Sequence, residues 1–393
     1  MSQAIAGAAE NVSLTESLSA GWIGRSLPLM AVPREQWDAL ATQPLEANGF
    51  LDAGFVLNAA LHARKGEGAV ALTAFAGQRL TGLLPVVPAT RAYGLPLPAL
   101  VATQPYNSLS TPLLDPRAPV DAALALIDAA AGAGAALLVL PMLALEGPAY
   151  EALQAAIAAR GLNAVTHNSY ERAALATELD DETYLRSGMG SKKLKELRRQ
   201  SHRLADEGTV AFTVARGPEA VGAALDRFLA LEASGWKGQR RTGLGQHEGD
   251  ATFARSMAAD MAARGLFEVT ELTLDGRLLA SGLVMRQADR ALFFKIAFDE
   301  AMARFSVGVQ LTTEMTRRFI ADTSLKLVDS TASAGHPMID HVWRERLRVG
   351  DLYLSTRPGD ALGPLVGRLI RLRHEARNGI KRLYHLARNR LEK

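Results

Sequence analysis

The stretch Ala291-Leu-Phe-Phe-Lys-Ile-Ala-Phe298, followed by Ala303-Arg-Phe-Ser-Val-Gly-Val-Gln310, decides the reading of this chain. The first eight residues are apolar and aromatic and predict a buried strand. The second eight turn into a helix that reads to about residue 320. Leu311, Met315 and Phe319 recur every four residues and mark its buried face. Ser306 stands where it can cap this helix, and Gly308 leaves the first turn without a side chain. Unpaired amides and the positive dipole of such a helix start attract phosphate. Arg304 adds a fixed charge beside them.

Around this stretch the chain has 393 residues, too many for one ordinary core, so two domains are expected. Apolar residues make up 48% and charged residues 22%, as in a folded globular protein rather than a disordered one. There is no cysteine, which excludes disulfides, thiolate metal sites and a covalent cysteine acyl-enzyme. No metal site is expected. Residues 1–20 lack a basic region followed by an apolar core and do not read as a signal peptide. The longest apolar run, 135–145, is broken by Pro141 and is too short to span a bilayer. A cytoplasmic protein is expected.

Charge is unevenly placed. Residues 363–393 carry nine Lys and Arg against two Glu, a balance of +7. Taken from the total of +3, this leaves −4 for the other 362 residues.

The pattern along the chain is α/β. A strand at 27–32 leads to Pro33 and a helix with Trp37 and Leu40. A helix at 52–64 and a hairpin of strands 69–76 and 79–87 follow. A proline-rich loop, a helix at 120–131, a strand at 136–140 and a helix at 148–160 come next. The weak alternation at 162–175 is expected to close this first sheet. A second unit starts near Asp180. It has helices at 181–186, 191–206, 218–233 and 251–264 and a strand at 210–215. Its hairpin, 267–274 with 277–286, turns on Asp275-Gly276. The strand 291–298, the helix 306–320, a strand at 325–329, a segment at 336–348 and a strand at 352–355 complete it. The two units echo each other: Arg79-Leu-Thr-Gly-Leu-Leu84 and Leu279-Ala-Ser-Gly-Leu-Val284 both follow a glycine turn.

The second unit resembles the CelD/BcsL-type GNAT acyltransferases. The resemblance rests on Lys192-Lys-Leu-Lys-Glu-Leu-Arg-Arg199, Leu231-Glu-Ala-Ser-Gly-Trp-Lys-Gly238, the Asp275-Gly276 hairpin, Arg304-Phe-Ser-Val-Gly308 and His336-Pro-Met-Ile-Asp-His-Val-Trp343. The first unit resembles that family's degenerate partner domain through Gly82-Leu-Leu-Pro85. The resemblance implies two tandem GNAT-like domains with mixed sheets flanked by helices. The expected boundaries are a flexible leader at 1–26, an N-terminal domain at 27–178, an acyltransferase domain at 179–357 and a basic helical tail at 358–393. Two positions depart from the family pattern. Val307 stands where proline is frequent, and Gln310 stands where a small residue is usual and is expected to crowd a pyrophosphate.

The implied reaction moves an acyl group, expected to be acetyl, from acyl-coenzyme A to an amine or hydroxyl in polysaccharide or envelope synthesis. The cofactor-binding candidates are Arg304, Ser306, Val307, Gly308, Val309 and Gln310. Amides of the strand 291–298 are expected to polarise the thioester carbonyl. His336 and Asp340, four residues apart, are the candidate bases, or else they anchor a helix. Asp329, at a strand end, is a further candidate base. Glu232, Trp236 and Lys237 are candidates for an acceptor wall, or else a helix end packed by a tryptophan. The acceptor is expected to be a sugar nucleotide, a lipid-linked sugar or another small molecule.

In the tail, Leu365, Leu369, Leu372, Ile380, Leu383 and Leu386 recur at helical spacing among arginines and lysines. Such a helix lies on an anionic membrane, or else packs on the body or a partner. Gly379 is expected to interrupt it. No DNA partner is expected. Two alternatives stand beside the main reading. One is a FemABX-like transferase that takes its donor from aminoacyl-tRNA. The other is a non-catalytic scaffold of the same fold, held at the membrane by its tail.

Overall fold

The computed structural model describes residues 15–16 and 21–391 apart from 236, 237, 239 and 241, with side chains from 21 to 377. The expected leader lies largely outside these residues. In chain order the first half contains β1 (Thr15–Glu16), β2 (Trp22–Pro28), α1 (Arg34–Thr42), α2 (Ala53–His62), β3 (Val70–Ala76) and β4 (Arg79–Pro88). It continues with α3 (Ala89–Tyr93), β5 (Ala99–Val101), β6 (Leu113–Leu114), α4 (Pro119–Gly132), β7 (Leu137–Ala144), α5 (Pro148–Arg160) and β8 (Ala164–Leu175). The second half contains α6 (Asp181–Met189), α7 (Ser191–Ala205), β9 (Val210–Ala215), α8 (Pro218–Ser234), α9 (Glu248–Ala263), β10 (Phe267–Leu274), β11 (Arg277–Gln287) and β12 (Arg290–Phe298). It ends with α10 (Val307–Ala321), β13 (Leu327–Asp329), β14 (Glu345–Ser355) and α11 (Leu362–Leu391).

One mixed sheet runs through both halves in the order β1-β2-β3-β4-β5-β7-β14-β8-β13-β12-β11-β10-β9, with β6 paired to β4. The pairs β5–β7 and β12–β13 are parallel, and the others are antiparallel. Apart from β1 at one edge, the order is symmetric about the β14–β8 pair: each half supplies a hairpin, a third strand, a helix and a parallel fourth strand.

The strand at 164–175 does not close the first sheet. It pairs with β13 through Leu175↔Val328 and with β14 along its length. The last strand, longer than expected, takes the vacant place beside β7. Each half is therefore completed by a strand from the other. The first central strand also starts at Trp22, five residues before the expected 27, because Trp22 to Pro28 pair residue by residue with β3.

Local chemistry sets the helix starts. Asp52 accepts from the Gly54 amide at 2.7 Å at the head of α2, and Asp180 accepts from Thr183 at 2.9 Å at the head of α6. Pro119, Pro148 and Pro218 open α4, α5 and α8. A central core joins the halves, with Phe50 and Phe55 of the first half packed edge to face on Phe253 and Phe294 of the second. Above it, Arg264 grips Asp52 at 2.6 and 2.9 Å, and Arg34 reaches Asp260. A second core, under α10, holds Phe305, Leu311, Met315, Phe319 and Trp343.

The helix α11 packs its start on the body. Val366 and Ile370 are buried against Val87, Leu137 and Tyr353. Leu362, Leu365, Leu369 and Leu372 face outward. The helix runs through Gly379 without the expected break. Among the described residues no helix is long and apolar enough to cross a membrane.

Candidate active site

The parallel ladder between β12 and β13 is short: it covers Arg290, Ala291 and Leu292. Two local features end it. The Thr331 hydroxyl donates to the Phe293 carbonyl at 2.7 Å and occupies the group that would extend the ladder. Val284 pairs with Phe293 and Leu283 with Lys295, so Phe294 is an extra residue that bends β12. Beyond Leu292 the two strands separate.

Cavities flank this separation. The larger, about 400 Å³, is bounded by the end of β12, the start of α10 and the end of α8. Its walls are mostly apolar, from Ile296, Phe298, Val307, Val309 and Met338, with Glu232, Glu300 and His336 as titratable groups. The smaller, about 180 Å³, is lined by Phe294, Lys295, Ser330, Thr331 and Ile339 among others. Ile296, His336 and Met338 belong to both.

The helix start differs from its expected form. Ser306 does not cap α10 through its side chain; it adopts a left-handed conformation, φ 52° and ψ 43°. Its carbonyl accepts from Val309 and Gln310 at 2.9 and 3.0 Å. The Val307 and Gly308 amides meet no acceptor among the described residues, and both residues border the larger cavity. The positive end of a fifteen-residue helix is thus open to that space. Packing around Gly308 is tight: a β-carbon there would lie 3.1 Å from Phe298 Cδ1 and 3.3 Å from Met338 Sδ, so those side chains would have to shift by a few tenths of an ångström.

Two expected cofactor residues point elsewhere. Gln310 does not crowd the cavity; it is buried, and its Nε2 donates to the Phe305 carbonyl at 2.7 Å. That bond satisfies the tight turn Glu300–Phe305 ahead of the helix. Arg304 is exposed, pairs with Glu207 at 2.8 Å and lies over the Phe305 ring. Neither residue lines the cavity.

His336 lines both cavities, and its Nδ1 faces the Met338 and Ile339 amides at 3.4 and 3.5 Å. Those contacts are long. The segment carrying it is a turn and the short 3-10 helix Ile339–His341, not a longer helix. Within it the Asp340 amide bonds the His336 carbonyl at 3.3 Å. Asp340 Oδ1 is buried without a partner among the described residues. Asp329 lines neither cavity. It is buried and accepts from Arg172 and, at 2.8 Å, from the Thr331 amide. Arg172 is wholly buried and also donates to the Ser108 carbonyl at 2.7 Å. Asp329 anchors the root of the separation.

Glu232 is buried, lines the larger cavity and accepts from the Leu244 amide at 2.7 Å. Trp236 and Lys237 lie outside the described residues. Among the described residues no cluster of side chains suits a metal.

Several lining residues were not singled out from the sequence. Ile296 and Phe298 follow from the two-residue period of β12 beyond the bulge, which sets them on one face, against the core that holds Phe293. Met338 and Glu300 carry no local signal. Lys295 lies 5.3 Å from the ring centre of Tyr106, a residue of the other half that only the tertiary fold brings near. Burial and a bond to Asp250 push the Tyr106 hydroxyl well above its ordinary pKa, so it stays protonated.

Residues 191–335 match the family described as "Acetyltransferase (GNAT) domain". This part of the chain is similar to that domain over 145 residues, from 191 to 335. The match starts at α7 and ends one residue before His336, so it contains β12, the open helix start and the strand separation but not His336. Among solved structures, FemX matches with 10% identity over 82% of this chain and 96% of its own, at a TM-score of 0.53. A domain assigned to a lysylphosphatidylglycerol synthetase of Agrobacterium fabrum matches with 16% identity over 86% and 95%, at 0.48. A tandem GNAT protein from the clavulanic acid biosynthesis pathway matches with 15% identity over 86% and 100%, at 0.44. No curated protein matches the chain. The fold is mixed α/β of the GNAT type.

Proposed function

We propose that the chain transfers an acyl group, acetyl in the first instance, from acyl-coenzyme A to an amine or hydroxyl of an acceptor in polysaccharide or cell-envelope synthesis. The observation that carries this reading is the separation of β12 from β13 with cavities on both sides and the open amides of Val307 and Gly308 at one end. A thioester arm laid in the gap would have its pyrophosphate near those amides. The apolar walls of Ile296, Phe298 and Val309 suit the arm itself. Arg304, paired with Glu207, and Gln310, which braces the turn ahead of the helix, would stay outside the first contact layer.

In the reaction the acceptor's lone pair attacks the thioester carbonyl, and a tetrahedral oxyanion forms. The acceptor's proton passes to a base. The C–S bond then breaks, and the thiolate leaves and is protonated. His336 is the base we favour, because it lies where the two cavities meet. Asp340 stands one turn on, and Asp329 is committed to Arg172. Glu232 would form part of the acceptor wall. In this reading residues 27–178 support a catalytic unit at 179–357. The acceptor class, a sugar nucleotide or a lipid-linked sugar, rests on the family resemblance.

The absence of cysteine gives a clean test, since every thiol released comes from coenzyme A. Acetyl-coenzyme A and a panel of amino sugars should give thiol release. His336→Ala should slow it by about a hundredfold or more, with thermal stability retained. An unchanged rate would remove His336 from the mechanism. No acyl-coenzyme A turnover or binding would move the donor to the aminoacyl-tRNA alternative.

The tail is read as a surface anchor. Arg368 flanks the outward Leu362, Leu365, Leu369 and Leu372 stripe on one side and Arg373 on the other, as the helical period dictates. Sedimentation with anionic vesicles should fall on Leu365→Asp with Leu369→Asp, and turnover with a soluble acceptor should persist.

A further inference from the structure

The N-terminal half keeps a cavity of its own, about 600 Å³, at the place that corresponds to the acyl-transfer cavity. In the C-terminal half, the cavity lies between the end of α8, the loop ahead of α10 and the sheet end where β11 begins. In the N-terminal half, the cavity lies between the end of α1, the loop ahead of α4 and the start of β4. The correspondence extends to single residues. Arg277 opens β11 and pairs with Asp299 in the loop ahead of α10. Arg79 opens β4 and pairs with Asp115 in the loop ahead of α4.

The N-terminal cavity carries a surplus of positive charge. Its lining includes Arg79 and Arg117 against one carboxylate, Asp115. Asp115 is buried and already engaged by both: Arg117 holds it at 3.0 and 2.9 Å, and its Oδ1 also accepts the Arg117 amide at 2.9 Å. Among the described residues neither arginine has another acidic partner. Burial, and then the nearby Arg117 charge, push the Arg79 guanidinium below its ordinary value. Gln36, Gln43 and Gln78 add amide groups to the walls, and Leu40, Leu80 and Pro116 add apolar surface. An anion would satisfy the surplus. The size of the space calls for an anion that carries a body.

We propose that this cavity is a second ligand site, independent of the acyl-transfer cavity, for a phosphate-bearing small molecule. Arg79 and Arg117 would grip its phosphate, and the glutamine and leucine walls would hold the rest. Two guanidiniums from separate segments match the several oxygens of a phosphate.

The test is calorimetric titration of the full-length protein with inorganic pyrophosphate and, separately, with ADP. Arg117→Gln is the main variant, since Arg117 is mostly exposed and Arg79 remains to pair Asp115. Arg79→Gln is the second. We expect millimolar or tighter binding of pyrophosphate and tighter binding of ADP. Each variant should weaken both by about tenfold, while the response to acetyl-coenzyme A stays the same. Failure of the wild-type chain to bind either probe at millimolar concentration would overturn the proposal. So would binding that survives Arg117→Gln and Arg79→Gln but is lost in Val309→Asp, which places the anion in the C-terminal cavity. Because the acyl-transfer reading predicts nothing at Arg117, either claim can fail alone.

Discussion

In the N-terminal half, the cavity beside α4 is lined by Arg79, Arg117 and Asp115; in the C-terminal half, the cavity beside α10 is lined by Glu232, His336 and two open amides. The surrounding frames match, since each half has a hairpin, a parallel strand pair and a helix between them. The contents differ in a way that chemistry explains. Fixed cations hold an anion without moving a proton. A histidine between apolar walls, at the end of a helix dipole, suits a thioester that must be attacked and released. The comparison teaches that two frames of like topology can carry clefts of different chemistry.

The exchanged strands are the first place to press the comparison. β8 is bound to the second half by the fully buried Arg172–Asp329 pair. Its counterpart β14 is tied to β7 by ladder bonds and by the Asp351 carboxylate, which accepts from the Met142 amide at 3.0 Å. Arg172→Met leaves Asp329 buried and unpaired and should cost about 3–5 kcal/mol in urea unfolding. Asp351→Ala should cost about 1 kcal/mol. Equal losses would show that the two exchanges are held alike.

Next is the turn ahead of each helix. Gln310→Ala removes the donor to the Phe305 carbonyl and should destabilise the chain by about 1–3 kcal/mol. Acetyl-coenzyme A affinity should be unchanged, since Gln310 faces the core. A gain in affinity would restore the view that this side chain crowds the donor. Ser306→Gly should raise stability by about 1 kcal/mol, because glycine takes the left-handed conformation at no steric cost. A loss would mean that the hydroxyl makes a contact that matters.

The smallest effect concerns acid. Asp322, at the end of α10, accepts from Ser324 and Arg286, which hold its carboxyl down at about 2. The folded value lies below the ordinary 3.8, so the contribution is present above that pH and is lost as the pH falls toward 2. The melting temperature should drop over that window, and Asp322→Asn should flatten the drop. The end of α4 has no such carboxylate at its cap, Ala133, so the effect belongs to the C-terminal half.

Much of the fold was legible in local patterns. Residues 291–298 form β12 nearly to the residue, and the helix expected from 306 runs from Val307 to Ala321. Asp275 and Gly276 take the positive φ values, 49° and 79°, that their hairpin turn requires. The strand exchange was not legible. Alternation at 164–175 says which face is buried, not which neighbour shares the ladder. At the site, His336 and Glu232, two of the residues selected from the sequence, line the larger cavity. Ser306 and Gln310 were read by residue type, and their conformation is set instead by the tight turn before α10. Arg304 was read as a fixed charge beside the helix start, and it pairs instead with Glu207, distant in sequence.

The most direct measurement is calorimetric titration of acetyl-coenzyme A into the wild-type chain and into Val309→Asp. Val309 borders the open amides, and an aspartate in the first turn suits the helix while repelling phosphate. The account predicts micromolar binding to the wild type and none to the variant, with equal melting temperatures. Equal binding by both, or no binding by the wild type, would contradict it.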